Sequence, residues 1–149
     1  MNSFNHYSLG SVGQWLFQTV AGIDSDPAQP GFEYIVMRPQ PGGGITHASA
    51  TLQTPRGTIS SAWWLEGDTL RLEIEIPANT TATLTLPYHC NQLLEGDADA
   101  ATALGVRSFE VHDGGLRLEL GSGTYRFLAL EIRAVNVSIA APVAVQGTL

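Results

Sequence analysis

Residues 70–76 alternate without a break: Leu70, Leu72, Ile74 and Ile76 are apolar, and Arg71, Glu73 and Glu75 between them are charged. A strand buried on one face and solvated on the other suits this pattern, because successive side chains point to opposite sides of a sheet. Period two also marks the segments around it. Phe32–Arg38 reads as a first strand, ended by Pro39-Gln40-Pro41 and three glycines, and Ile45–Gln53 as a second. Thr58–Glu66 is a third, with Ile59, Ser61, Trp63 and Leu65 on one face and Ser60, Ala62 and Trp64 on the other. Gly67-Asp68 turns the chain into residues 70–76, Asn79 turns it back, and Ala82, Leu84 and Leu86 alternate with threonines. Phe109–His112, Asp113-Gly114-Gly115 and Leu116–Leu120 make a further hairpin, and Thr124–Ile132 closes the set. About eight short strands joined by turn chemistry predict a mainly β fold, an antiparallel β-sandwich.

One segment has a different period. Leu9, Val12, Gly13, Leu16, Phe17 and Val20 form a continuous stripe at helical spacing, so one N-terminal α-helix precedes the sandwich. Gly22 is placed for a left-handed C-cap, with Ile23 set for the accompanying apolar contact. Phe4, Tyr7 and Trp15 lie off the stripe. A helix that is apolar on more than one side is buried on more than one side. The sandwich covers one of them, and the other needs a partner. The organisation expected is a helix over residues 1–23, a linker turn over 24–31 rich in Asp, Pro and Gly, a sandwich over 32–132, and a tail over 133–149. That tail is either a further edge strand or disordered.

Composition narrows the partners. Charged residues are 14% of the chain and the net charge is −7, which argues against nucleic acid and against docking on anionic lipid. A neutral ligand such as a sugar remains compatible. The single cysteine, Cys90, excludes an internal disulfide and a cysteine-built zinc site. The first residues show neither a basic stretch nor an apolar core of a signal peptide. The chain as written is therefore expected in the cytoplasm, although a longer parent could be exported.

Catalytic chemistry is hard to place. Glycoside hydrolysis normally needs two positioned carboxylates. Glu73 and Glu75 share a strand face opposite a leucine/isoleucine face, which reads as a solvated exterior. Asp24 and Asp26 read as turn and cap residues. His89 and Cys90 are adjacent on an extended segment and so point apart, a poor nucleophile–base pair. The four histidines, His6, His47, His89 and His112, are scattered, with no spacing that would hold a metal. Neither catalytic residues, nor a metal, nor a cofactor is expected. Pro41 and the glycines 42–44 lack the lysine of a phosphate loop and precede a strand. Trp63, Trp64 and Tyr88 are candidate sugar-stacking platforms, although alternation separates the two tryptophans. Asn5-His6-Tyr7, at the start of the helix, has two readings. Ser3 or Asn5 caps the helix and His6 is a surface residue, or the triplet faces whatever binds at the helix mouth.

Residues 3–16, Ser3-Phe4-Asn5-His6-Tyr7-Ser8-Leu9-Gly10-Ser11-Val12-Gly13-Gln14-Trp15-Leu16, resemble the final helix of the catalytic domain of bacterial α-L-rhamnosidases, glycoside hydrolase family seventy-eight. The likeness continues through Ala21-Gly22-Ile23, Pro30-Gly31-Phe32, Arg38-Pro39-Gln40-Pro41, Pro55-Arg56-Gly57, Ile76-Pro77-Ala78-Asn79 and Gly121-Ser122-Gly123-Thr124-Tyr125-Arg126-Phe127, over about residues 1–130. This resemblance implies an (α/α)6 catalytic barrel followed by a C-terminal β-sandwich, with the acid and base glutamates upstream of the segment matched. It implies that His6 lines the rhamnose subsite when the barrel is present, with Asn5 and Tyr7 as its supports. The expected function is then a non-catalytic accessory sandwich that stabilises the barrel, supplied in cis or in trans, and adds one histidine to a site for a rhamnose-containing glycan. A stand-alone carbohydrate-binding module and a complementing subunit of a split hydrolase are the alternatives. The isolated chain would cover its bare helix face by self-association.

Overall fold

The computed structural model describes residue 10 and residues 12–135. Among the described residues thirteen strands are formed: β1 Ile23–Ser25, β2 Tyr34–Met37, β3 His47–Thr54, β4 Gly57–Glu66, β5 Thr69–Ile76, β6 Thr81–Leu86, β7 Tyr88–His89, β8 Gln92–Glu95, β9 Ala98–Asp99, β10 Val106–His112, β11 Gly115–Leu120, β12 Gly123–Leu130 and β13 Arg133–Ala134. They make a five-stranded sheet in the order β1-β2-β6-β11-β10, a six-stranded sheet in the order β3-β4-β5-β12-β8-β9, and a small β13-β7 ribbon. The eight strands read from alternation are β2 to β6 and β10 to β12. The five others are two to four residues long, too short to show a period. β1 takes in Ile23, Asp24 and Ser25, which read as helix end and turn, and β13 is a two-residue start to the tail.

All ladders are antiparallel except β2 with β6. The exception follows from the path of the chain. It leaves β2 and makes three consecutive strands, β3, β4 and β5, in the opposite sheet. It then returns beside β2 pointing the same way.

The inner faces interdigitate into one core. Ile35, Met37, Leu84, Leu86, Leu118 and Leu120 from one sheet meet Ile59, Trp63, Leu70, Leu72, Ile74 and Phe127 from the other, all fully buried. Each such side chain stabilises the fold by ~1.5–3 kcal/mol relative to leaving it in water. Tyr125 stacks on Phe127 with ring centroids 5.6 Å apart, and its hydroxyl donates to Gly121 O at 2.8 Å.

A two-sheet sandwich has two open sides, and each is closed differently. On one, the short 3₁₀ turn Ala100–Thr102 packs on β8 and β10. On the other, the N-terminal helix contacts β1, β3 and β4, so it spans the gap between the edge strands of the two sheets. The helix is α-helical at residues 12–15 and wound as a π-helix over Leu16–Ala21. Gly22 ends it in the left-handed region, φ 76°, and its N–H donates to Phe17 O, five residues back. Two buried side chains of β4 take up carbonyls at this end. Trp63 Nε1 donates to Val20 O at 2.9 Å, and Ser61 Oγ donates to Ala21 O at 2.8 Å. Helix ends leave such carbonyls without partners inside the helix. Here the sandwich interior supplies them, and among the described residues no buried side-chain N or O lacks a partner.

Gly22 is held twice over. Its φ disfavours any side chain, and a Cβ there would lie 2.1 Å from Pro39 N and 2.3 Å from Arg38 C. Gly22→Ala should therefore lower unfolding stability by on the order of 3 kcal/mol, read from the urea midpoint, since both backbone strain and overpacking act. Trp63→Phe keeps a ring but leaves Val20 O without its donor. It should cost about 1–3 kcal/mol beyond the loss of packing, and a stability within ~0.5 kcal/mol of the unmodified chain would show that this bond is dispensable.

Candidate functional site

The exposed apolar surface is concentrated on the helix. Among the described residues, six large apolar side chains are exposed, and four of them, Val12 (54%), Trp15 (53%), Leu16 (46%) and Ile45 (38%), lie on or beside it. The stripe of residues 12, 13, 16, 17 and 20 does not descend uniformly into the sandwich. Val20 and Ala21 are buried and Phe17 packs at the core margin, while Val12 and Leu16 stay in solvent. The period predicts one continuous buried stripe along the helix. Only its C-terminal end is buried here, because the gap between the edge strands accepts just that end.

Two shallow grooves flank the helix. One, of about 600 Å³, runs between Leu16, Phe17 and Val20 and the edge strand at Ala48 and Ala50. The other, of about 340 Å³, lies between Trp15 and Thr19 and the loop at Pro41, Gly43 and Ile45. That loop is braced. Ile45 N donates to Gly42 O at 3.1 Å, and the Tyr88 hydroxyl donates to Pro41 O. β3 itself is the edge strand of its sheet, eight residues long and without Asp, Glu, Lys, Arg or Pro. Such an edge is ordinarily covered or charged.

Asn5, His6 and Tyr7 lie outside the described residues. Of the three aromatic platforms, Trp63 is fully buried and bonded to the helix, and Tyr88 is half-buried with its hydroxyl engaged. Trp64 alone remains on an outer sheet face, half-buried between His47 and Arg71 on the neighbouring strands. Glu73 and Glu75 face solvent on β5. Asp24 accepts from Ser25 N at 2.8 Å and from Gln18 Nε2 at 3.1 Å, and Asp26 accepts from Ala28 N at 2.9 Å. Both aspartates thus serve local turns. Cys90 is half-buried. Burial raises its thiol pKa, partly opposed by a backbone hydrogen bond at Gln92, so it stays protonated and weakly nucleophilic. No three His, Cys, Asp or Glu side chains converge among the described residues.

One cluster was not legible from any single segment. On the outer face of the five-stranded sheet, the Tyr34 hydroxyl meets Thr83 Oγ1 and donates to Glu119 Oε1 and Oε2 at 3.2 and 3.1 Å. Thr83 Oγ1 donates to Glu119 Oε1 at 2.9 Å, and Arg117 Nη2 does so at 3.0 Å. The bond to Glu119 and its charge raise the Arg117 pKa further above its ordinary value. Residues 34, 83 and 117–119 are far apart in sequence, and only the β2-β6-β11 order joins them.

Comparison with known proteins points one way. Residues 22–100 match the family model described as the bacterial alpha-L-rhamnosidase C-terminal domain. An α-L-rhamnosidase of Formosa agariphila is 35% identical over 130 residues, 87% of this chain and 14% of that protein. One of Streptomyces avermitilis is 37% identical over 128 residues, 85% of this chain and 12% of that protein. Among solved structures, the α-L-rhamnosidase from Dictyoglumus thermophilum superposes with a TM-score of 0.72 at 27% identity, over 87% of this chain and 14% of that one. The Streptomyces avermitilis α-L-rhamnosidase complexed with L-rhamnose superposes with a TM-score of 0.69 at 34% identity, over 87% of this chain and 12% of that one. The chain thus spans about one-seventh of the length of the first relative it matches.

The two engaged tyrosines give the fold an alkaline limit. Burial raises the pKa of Tyr88, and burial followed by the charge of Glu95 raises that of Tyr125. The unfolded chain releases these protons near the ordinary tyrosine value of about 10. The stabilisation from the neutral phenols is therefore complete below that pH and lost as the pH rises toward the folded values. Thermal midpoints should fall above pH about 10, and the share of the tyrosinate absorbance lost in the Tyr88→Phe and Tyr125→Phe variants should appear together with unfolding, not ahead of it.

Proposed function

Because this chain belongs to the family of bacterial α-L-rhamnosidase C-terminal domains, we propose that it is the accessory β-sandwich of such an enzyme and that its helix face is the surface on which the catalytic domain packs. The observation that carries this reading is the divided helix. Its C-terminal end is sealed into the sandwich, while Val12, Trp15 and Leu16 project apolar surface away from it. Exposed apolar surface of this kind, bordered by two grooves, marks an interaction site. The chain's small share of its relatives' length supports a partner domain of much greater size.

On this reading residues 1–23 complete an (α/α)6 barrel, and residues 32–132 buttress it. His6 then enters the rhamnose subsite from the barrel's last helix, with Asn5 and Tyr7 holding it. Among the described residues the acidic side chains near the helix serve turns and those of β5 face solvent, which supports a chain that depends on the catalytic domain for hydrolysis. The catalytic domain provides the acid and the base, and the sandwich fixes the helix from which His6 projects. A histidine that hydrogen-bonds the sugar contributes orientation, which is worth most where the bound geometry is already close to reactive.

Release of the aryl group from an aryl α-L-rhamnoside tests this directly. The chain alone should be inactive, and a catalytic domain truncated before this helix should gain activity when the chain is added. His6→Ala should then reduce kcat/KM by about 10–100-fold while leaving assembly intact. Activity from the chain alone, or no gain and no association in the mixture, would overturn the reading. Leu16→Asp places a charge at the exposed centre of the helix face. It should abolish association with the catalytic domain, and any self-association seen by sedimentation, with a thermal midpoint close to that of the unmodified chain. A large drop in midpoint would instead show that Leu16 belongs to the sandwich core.

A further inference from the structure

The outer face of the five-stranded sheet carries a groove of about 400 Å³ lined by Tyr34, Val36, Arg38, Thr85, His112 and Arg117. Its register is fixed by the ladders. Met37 is level with Leu84 on the parallel neighbour, which brings Arg38 beside Thr85, and Thr85 is directly opposite Arg117. The two arginines therefore stand on either side of one threonine, two strand spacings apart, about 9–10 Å. Side chains of that length can converge over the threonine hydroxyl.

The donors are free to act. Arg38 is exposed, and among the described residues it enters no ion pair. Arg117 commits one nitrogen, Nη2, to Glu119, and a guanidinium has five N–H donors. Glu119 is itself held by Tyr34 and Thr83, so it anchors Arg117 in place. His112 Nδ1 accepts from Gly114 N at 3.0 Å. In the neutral ring that leaves Nε2 as the N–H donor. Glu119 is the acidic group nearest Arg117, ion-paired with it at 3.0 Å, and Glu110, opposite Arg117 on β10, forms no ion pair with it among the described residues.

We propose that this groove binds a saccharide bearing a single oxyanion, a carboxylate or a sulfate ester, gripped by Arg38 and Arg117 over Thr85. Guanidinium groups pair with such oxyanions through parallel N–H···O bonds. The flank of Val36 and the ring of Tyr34 offer the apolar patch on which the C–H face of a sugar rests, and His112 Nε2 and the Thr85 hydroxyl are the donors left for its hydroxyl groups, since the Tyr34 and Thr83 hydroxyls are committed to Glu119. The groove is shallow and open along the sheet, which suits one unit of a longer glycan more than an enclosed metabolite. The net charge of −7 works against a dense polyanion, so isolated anionic groups on an otherwise neutral chain are the better match. The inference concerns the sandwich alone and stands independently of what covers the helix face.

Titration of the full chain with methyl glucuronide, glucose 6-sulfate, methyl glucoside and inorganic sulfate, followed by amide chemical shifts, tests the assignment and separates carboxylate from sulfate. One or both anionic sugars should shift resonances at Arg38, Thr85, His112 and Arg117 and bind at least ~10-fold more tightly than methyl glucoside, the loss expected when a charged group is left without its partner. Arg38→Ala should weaken that binding by a similar factor with an unchanged thermal midpoint, and Thr85→Val, of nearly equal volume, should weaken it several-fold. Absence of shifts in this groove, equal binding of methyl glucoside, or binding indifferent to Arg38→Ala would overturn the proposal. Inorganic sulfate binding as tightly as the sugar sulfate would overturn its saccharide part.

Discussion

Two hydrogen bonds at the end of the N-terminal helix organise this molecule. Trp63 and Ser61 reach out of the sandwich interior to the carbonyls of Val20 and Ala21. A buried carbonyl without a partner is costly, and so is a buried indole N–H. Each side thus satisfies the other. The consequence is geometric: the helix is locked across the open side between β1 and β3, and Val20, Ala21 and Ile23 join the core. The π winding of Leu16–Ala21 and the left-handed Gly22 bring the chain from that lock directly into β1.

That anchorage divides the helix by role. The half next to Gly22 behaves as part of the sandwich, while the half toward Val12 offers apolar side chains to something else. A rigid seam at one end makes the other end a defined platform instead of a loose arm. This is the arrangement that an accessory domain requires if it is to hold a residue of a neighbouring active site in register. The polar outer face of the five-stranded sheet is remote in kind from this apolar platform. One is built from Val12, Trp15 and Leu16, the other from arginines, hydroxyls and an imidazole.

Much of the fold was legible in the chain. Strand β5 declares itself by strict alternation, and the inward residues of β4, β6, β11 and β12 follow the same rule. Gly22 was readable as a left-handed cap because only a glycine serves there without strain. That Trp63 and Trp64 lie on opposite faces needed nothing beyond period two, but which of them is buried was decided by the packing of the two sheets. The short strands β1, β7, β8, β9 and β13 were not readable, since two to four residues carry no period and their pairing is imposed by neighbours. The helix stripe misled in one respect. It marked which side of the helix is apolar, but not how much of that side the sandwich would cover.

What the sequence by itself determined is therefore the local alphabet: which residues alternate, where the chain turns, that one helix precedes the strands, and, through its likeness to rhamnosidase C-terminal regions, the family to which it belongs. Tertiary structure alone decided how these parts meet. It placed the helix between two edge strands and set β2 parallel to β6. It also gathered Arg38, Thr85 and Arg117 into one groove from three distant segments. The physical reason is that local pattern records only which face of an element is apolar. Sheet order and the sharing of buried hydrogen bonds depend on contacts between residues far apart in the chain.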